Sequence, residues 1–191
     1  MVAGTEELCV ACVGNPNAGK STLFNAITGG QQRIGNWPGT TVERRQGQAR
    51  AGATCLSLVD LPGIYSLMAQ SSDQEIALDF LFQDHPDVLV NIVDASNLER
   101  NLYLTVQLLE SGCPVVVALN MMDIATRRGI GIDQDTLASG LGVSVVPTIA
   151  TRHWGTAEVA EQVASSEHEL TEWQLDYGHD ADRSSLRSAC D

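Results

Sequence analysis

Gly14-Asn15-Pro16-Asn17-Ala18-Gly19-Lys20-Ser21 is the stretch on which the reading of this chain turns. It fits Gly-x-x-x-x-Gly-Lys-Ser/Thr without mismatch, a pattern in which the backbone N–H groups of a glycine loop surround phosphate oxygens. Four fixed positions also coincide by chance, so the flanks decide. Before the loop, Leu8-Cys-Val-Ala-Cys-Val13 is a short apolar run with β-branched residues and reads as a buried parallel strand. After it, Ser21 to Thr28 carries Leu23, Phe24 and Ile27 at helical spacing and is stopped by Gly29-Gly30. Strand, glycine loop, helix is the order that aims a helix N-terminus at an anion. Of the 11 basic residues, Lys20 is the only lysine. A lysine head is a compact charge that reaches between β- and γ-phosphate oxygens, where a planar guanidinium is too wide. The Ser21 hydroxyl is suited to Mg²⁺, and Thr22 completes the segment expected to line the phosphates.

At 191 residues, with 43% hydrophobic and 18% charged content, the chain has room for one domain and an appendage. No run approaches the length of a membrane-spanning helix. The start, Met-Val-Ala-Gly-Thr-Glu-Glu, lacks the basic and apolar regions of a secretion signal. Most of the five cysteines lie in apolar segments and read as small buried residues of a reducing compartment. Cys9 and Cys12 would point to opposite faces of a strand, which argues against a metal or redox pair. Net charge is −13 with a pI near 4.5. Residues 158–191 carry nine acids and two arginines. Such a chain lacks the basic face that nucleic-acid binding demands, and anionic lipid would repel it.

Strand candidates at Thr54–Asp60, Val88–Val93, Pro114–Asn120 and Val143–Ile149 alternate with helix candidates at Asp73–Gln83, Leu102–Ser111, Gln134–Gly140 and from Thr156. This alternation implies a three-layer α/β domain, a mostly parallel sheet with helices on both faces. Gln31 to Gly47, rich in glycine and arginine with weak periodicity, reads as a long functional loop running into a strand. The expected division is a domain over 1–165 followed by an acidic linker and the start of a helical appendage over 166–191.

In such sheets ligands sit beyond the carboxyl ends of the strands, and two further motifs fall there. Asp60-Leu-Pro-Gly63 follows a strand about 40 residues after the loop. In nucleotide hydrolases a carboxylate here holds Mg²⁺ through water, and the Gly63 N–H meets the γ-phosphate. Asn120-Met121-Met122-Asp123 follows another strand. The Asp123 carboxylate can accept from the N1–H and N2–H₂ of guanine, a donor pair that adenine lacks. A site of buried polar groups rejects the base that leaves them unpaired, so guanine is expected over adenine.

These motifs, together with Gly35-Asn-Trp-Pro-Gly-Thr-Thr-Val-Glu-Arg44 and Asp60-Leu-Pro-Gly-Ile-Tyr-Ser-Leu67, resemble the N-terminal GTPase domain of ferrous iron transporter B, a translation-factor-like (TrmE-Era-type) P-loop NTPase. The resemblance covers roughly residues 8–160, and the Gly-Asn-Trp-Pro-Gly loop is its most specific part. It implies GTP and GDP as ligands, with Gly14, Asn15, Pro16, Asn17, Ala18, Gly19, Lys20, Ser21 and Thr22 at the phosphates. It makes Thr41 the switch threonine that joins Ser21 and Asp60 at Mg²⁺, although Thr40 stands where the family has an aliphatic residue and is the alternative. Asn17 resembles the asparagine associated with K⁺ beside the phosphates. Ala150-Thr151-Arg152 stands where relatives carry Ser-Ala-Lys, whose backbone amide reaches the guanine O6. Tyr177-Gly-His-Asp180 resembles the start of a helical domain that couples to a membrane part. The implied partners are the protein's own transmembrane permease region and small Feo accessory proteins, with oligomers open. The implied place is the cytoplasmic face of the bacterial inner membrane, with no membrane insertion of this segment itself.

The expected reaction is GTP hydrolysis, with Lys20, Asn17, Thr41 and Gly63 as its catalytic set. Ile64 follows Asp-x-x-Gly where Ras-like enzymes have a water-orienting glutamine, so either K⁺ at Asn17 with switch backbone assists, or turnover is slow and the protein is a timer. Trp37 is divided evenly between a partner contact and packing on its own domain. The four histidines lack metal-ligand spacing. Two other readings stand beside the transporter module: a soluble K⁺-dependent GTPase of tRNA modification or ribosome assembly, and a nucleotide-binding scaffold without hydrolysis.

Overall fold

The apolar run before the glycine loop forms β1 (Glu7–Gly14), buried almost throughout, at the centre of the sheet. A computed structural model describes residues 7–68 and 71–165. The remaining strands are β2 (Gln32–Asn36), β3 (Glu43–Ala51), β4 (Thr54–Asp60), β5 (Val88–Asp94), β6 (Val115–Asn120) and β7 (Val145–Pro147). They form one seven-stranded sheet in the order β2-β3-β4-β1-β5-β6-β7. From β4 to β7 neighbours run parallel; β2–β3 and β3–β4 are antiparallel. The helices are α1 (Lys20–Thr28), α2 (Ser72–Gln83), α3 (Leu98–Glu110), α4 (Met122–Arg127), α5 (Gln134–Leu141) and α6 (Thr156–Ser165).

Alternation along β1 sorts the two cores. Val10 and Cys12 face Leu23 and Phe24 of α1 and Val159 and Val163 of α6. Ala11 and Val13 face the side of Ala77 and Phe80 of α2 and Leu104 and Leu108 of α3. Helices on both faces of a mostly parallel sheet are what the alternating pattern implied. Cys9 and Cys12 do belong to opposite faces. β1 pairs with β4 on one side and β5 on the other, so the chain reverses its direction of travel across the sheet there. The crevice at that switch point is where the glycine loop emerges.

The expectation of a long loop over Gln31–Gly47 is corrected: most of it is antiparallel ladder, with Gln32 opposite Gly47 and Asn36 opposite Glu43. β2 is a nearly fully exposed edge strand, and β3 carries Arg44, Arg45, Gln46 and Gln48. Their side chains are mostly polar and at least partly exposed, so no apolar alternation marks them. α3 begins at Leu98 rather than Leu102, because its polar first turn is secured by Asn101. The Asn101 amide donates to Asn97 O at 2.9 Å, and its oxygen accepts from Asp94 N at 3.2 Å. β7 is shorter than the expected Val143–Ile149, since beyond Pro147 the chain turns toward Asn120. The segment 166–191, with Tyr177-Gly-His-Asp180, lies outside the described residues.

Candidate functional site

The glycine loop leaves β1 at Gly14 and enters α1 at Lys20. Two features keep α1's first turn open. Its N-cap is Gly19, in the left-handed conformation at φ 90°, and no side chain caps it among the described residues. A Cβ at Gly19 would also lie 2.2 Å from Asn120 Nδ2, so only glycine fits between loop and sheet. The first N–H groups of α1 thus face the loop's concavity without a protein acceptor among the described residues, the condition for anion binding at a helix N-terminus. Asn17 is exposed with φ 66°, on the outer rim of the loop. Ala18 and Asn15 are buried beneath it, and Pro16 is half-buried.

Lys20, Ser21 and Asp60 converge. The Ser21 hydroxyl donates to Asp60 Oδ2 at 2.6 Å, and Lys20 Nζ lies 3.4 Å from Asp60 Oδ1. Asp60 is 7% exposed, and its Oδ1 accepts no hydrogen bond from the described residues. A buried carboxylate oxygen with spare lone pairs beside a serine hydroxyl is a hard-oxygen donor set of the type Mg²⁺ takes, and the residues fit that ion. Cys12 sits beside Asp60 in the strand register. Burial first, and then the Asp60 charge, pushes the Cys12 thiol up, so it stays a neutral thiol under the site. Gly63 is pressed against the loop, where an added Cβ would meet Pro16 at 3.0 Å. The Ile64 N–H donates to Gly14 O at 3.2 Å, and the Ile64 side chain is fully buried. The segment after β4 is therefore fixed to the phosphate loop through its backbone.

The Asn120–Asp123 motif is joined to the glycine loop by one side chain. Asn120, 3% exposed at the end of β6, donates from Nδ2 to Ala18 O at 3.0 Å. Its Oδ1 accepts from Ala150 N at 3.1 Å and from the Thr148 hydroxyl at 3.3 Å. One amide thus ties the glycine loop, β6 and the turn Ala150–Arg152 into a single wall. Met121 follows in the left-handed conformation at φ 63° and redirects the chain into α4. Asp123 stands in the first turn of α4 with its Oδ2 3.3 Å from Arg127. Arg127 is largely exposed, so this pair is weak and readily exchanged for another partner. Thr151 is exposed and Ala150 buried beneath it.

Thr41 is a predicted site residue outside the group bonded to Asp60. It is exposed in the turn between β2 and β3, while the groups that meet Asp60 are Lys20 and Ser21. Thr40, the alternative, spends its hydroxyl locally, donating to Trp37 O at 3.1 Å and accepting from Val42 N at 3.2 Å. Trp37 packs on its own domain at 6% exposure. The residue missed from sequence is Thr148, whose only signal was its place at a strand end. Among the described residues no group of three or more His, Cys, Asp or Glu is placed to hold a metal ion, and no helix is long and apolar enough to cross a membrane.

Residues 8–163 match the family model described as ferrous iron transport protein B. The chain is 53% identical over 154 residues to the Fe(2+) transporter FeoB of Salmonella typhimurium, covering 78% of this chain and 20% of that protein. It is 52% identical over the same span to that of Escherichia coli K12, again 20% of its length. The chain therefore spans about a fifth of the length of these curated relatives. Among solved structures, a point mutant of S. thermophilus NFeoB bound to GDP shares 43% identity with a TM-score of 0.81, over 95% of this chain and 69% of that one. The FeoB G-domain from Methanococcus jannaschii shares 45% identity with a TM-score of 0.75, over 84% of this chain and 97% of that one. A glycine loop on β1, a carboxylate on β4 and an asparagine clamp on β6 thus stand in a chain that matches these relatives at about half identity, and this chain belongs to the ferrous iron transport protein B family as its N-terminal G domain.

Proposed function

We propose that this chain is the GTP-binding and slow GTP-hydrolysing module of a membrane ferrous iron transporter. The observation that carries the reading is Asn120, whose amide bonds both the glycine loop and the Ala150 turn, three residues before Asp123. That arrangement offers phosphates and a guanine edge to one crevice. Lys20 neutralises charge on the transferring phosphoryl group, and the Gly63 N–H stabilises its oxygens. Ser21 and Asp60, with Thr41, are the residues that would hold Mg²⁺, which would offset the negative charge that develops in phosphoryl transfer. Asn17 presents a neutral amide at the exposed rim, suited to a monovalent cation such as K⁺ beside the phosphates. Ile64 is fully buried and has no polar side-chain atom, so orientation of the attacking water falls to backbone groups and turnover is slow.

The GDP-bound state of relatives supports the guanine ligand, and their description as Fe(2+) transporters supports the membrane role. On this reading the partners are a transmembrane permease region of the same protein and small accessory proteins of the same system. The module works at the cytoplasmic face of the bacterial inner membrane. Hydrolysis measured in K⁺ and in Na⁺ at matched ionic strength tests the proposal. Phosphate release faster in K⁺ and abolished in Asn17→Ala is expected; no release in either salt overturns the enzymatic part. Tight, salt-sensitive RNA binding would instead favour the tRNA-modification or ribosome-assembly class, against which the net charge of −13 argues.

A further inference from the structure

The stretch after β4 carries the backbone to which orientation of water falls, yet it belongs to no helix or strand: β4 ends at Asp60 and α2 begins at Ser72. Two of its N–H groups are bound on the side of the glycine loop. Leu61 N donates to Cys12 O at 3.1 Å, and Ile64 N donates to Gly14 O at 3.2 Å. Beyond Ile64 the partners come from α3 instead. Leu67 N donates to Gln107 Oε1 at 2.9 Å, across 40 residues of sequence. The Arg100 guanidinium lies 4.8 Å from the centroid of the Tyr65 ring. Arg100 and Gln107 are two helical turns apart, so both stand on one face of α3 and grip the stretch at Tyr65 and Leu67.

α3 is a fixed reference for that grip. Thr105 is fully buried and donates to Asn91 Oδ1 at 2.6 Å, and Asn91 is 1% exposed in β5. Asn101 accepts from Asp94 N at the end of the same strand. Sliding α3 along β5 would leave these buried groups unpaired, which makes such movement costly. Residues 61–67 are therefore tied at one end to the glycine loop and at the other to a helix seated on the sheet. Packing alone would seat the Leu67 side chain, which meets the core. A side-chain carbonyl on the Leu67 N–H adds the orientation of the peptide plane, because a hydrogen bond weakens steeply off its preferred angle.

We propose that Gln107 is a positioning residue for phosphoryl transfer, assisted by Arg100: from α3 they fix the Gly63–Leu67 backbone that orients the attacking water. This rests on the GTP-hydrolysing reading above. In that step the water oxygen bonds to the γ-phosphorus while the bond from phosphorus to the bridging oxygen breaks, its electron pair leaving with GDP. The proton lost by water passes to the phosphate product. Gln107 exchanges no proton and acts through the Leu67 N–H. Its loss falls on turnover rather than on nucleotide affinity, since misplacing a group that orients a reactant costs rate without removing a binding contact.

The test is phosphate release by the full chain with Mg-GTP in K⁺, beside GDP affinity by calorimetry. Gln107→Met keeps the length of the side chain but offers no oxygen to the Leu67 N–H. Its kcat falls about 10-fold, the scale of one lost hydrogen bond, while KM and GDP affinity stay within about 2-fold. Gln107→Glu keeps an acceptor at the same reach and returns kcat to within about 2-fold of the parent. Arg100→Met, at an exposed position, lowers kcat by about 3-fold, the scale of an exposed cation–π contact; it carries the test should Gln107→Met fail to fold. A merely structural contact would lower stability and leave kcat of the folded protein intact. Unchanged kcat, kcat and GDP affinity falling together, or equal losses in Gln107→Met and Gln107→Glu overturn the positioning role and leave the nucleotide site standing. No phosphate release from the parent chain, with GDP still bound, overturns the hydrolysing reading and the positioning role together.

Discussion

Asn120→Ala removes one buried amide and with it three hydrogen bonds: to Ala18 O, from Ala150 N and from the Thr148 hydroxyl. At roughly 1 kcal/mol each, and with the Ala150 N–H left buried and unpaired, the loss comes to about 2–4 kcal/mol. For a domain of this size that lowers Tm by about 4–16 °C. Urea unfolding followed by far-UV circular dichroism reads the same quantity as a lower midpoint with an unchanged slope. Because the deleted bonds hold the phosphate loop against the Ala150 turn, affinity for a fluorescent GDP analogue falls by about 10-fold or more, a further 1.4 kcal/mol. Asn120→Asp separates the two halves of the clamp. It retains an acceptor for Ala150 and Thr148 but sets a carboxylate oxygen against the Ala18 carbonyl, so it binds nucleotide no better than Asn120→Ala. A destabilisation below about 0.5 kcal/mol together with unchanged GDP affinity would show that the clamp does not organise the site.

Lys20→Ala abolishes binding of a non-hydrolysable GTP analogue while the far-UV spectrum is preserved, since the contact Lys20 makes within the fold is its ion pair with Asp60; retained affinity in a calorimetric titration would contradict its role. Gly14→Ala places a Cβ 2.4 Å from the backbone oxygen of Ile92, which cannot rotate away, and lowers stability by about 1–3 kcal/mol by denaturant titration; an unchanged midpoint would show that β1 and β5 separate freely there. Asp123→Asn replaces the acceptor expected for guanine N1–H and N2–H₂ with an amide that can donate, so preference moves from GTP toward XTP in a competition assay; undiminished GTP selectivity would remove Asp123 from base recognition.

Those predictions draw on residues that were legible to different degrees. β1, the glycine loop and α1 could be read at once, because a buried parallel strand, a glycine loop and an amphipathic helix each leave a local signature. The strands ending in Asp60 and Asn120 were legible for the same reason. β2 was not, since it is an exposed edge strand whose order comes from backbone pairing with β3, and its side chains carry no record of that. The first turn of α3 was missed because Asn101, a polar residue, organises it. Trp37 gave even odds between a partner and its own core; Phe80 and Arg44, 43 and 7 residues away in sequence, decided for the core.

The sequence by itself determined the set of candidate groups: a lysine, a serine, two aspartates and an asparagine, each just beyond a strand that its own apolar run makes legible. The tertiary structure decided how those motifs relate to one another. Asn120 bonds to Ala18, 102 residues before it, and Ser21 bonds to Asp60, 39 residues after it. Contacts of that separation exist only once the parallel strands have set their register, because the side chains that meet across a crevice have no shared local pattern to betray them. The same reason leaves Thr41 an expected ligand in the sequence, while the structure shows it exposed in the turn between β2 and β3.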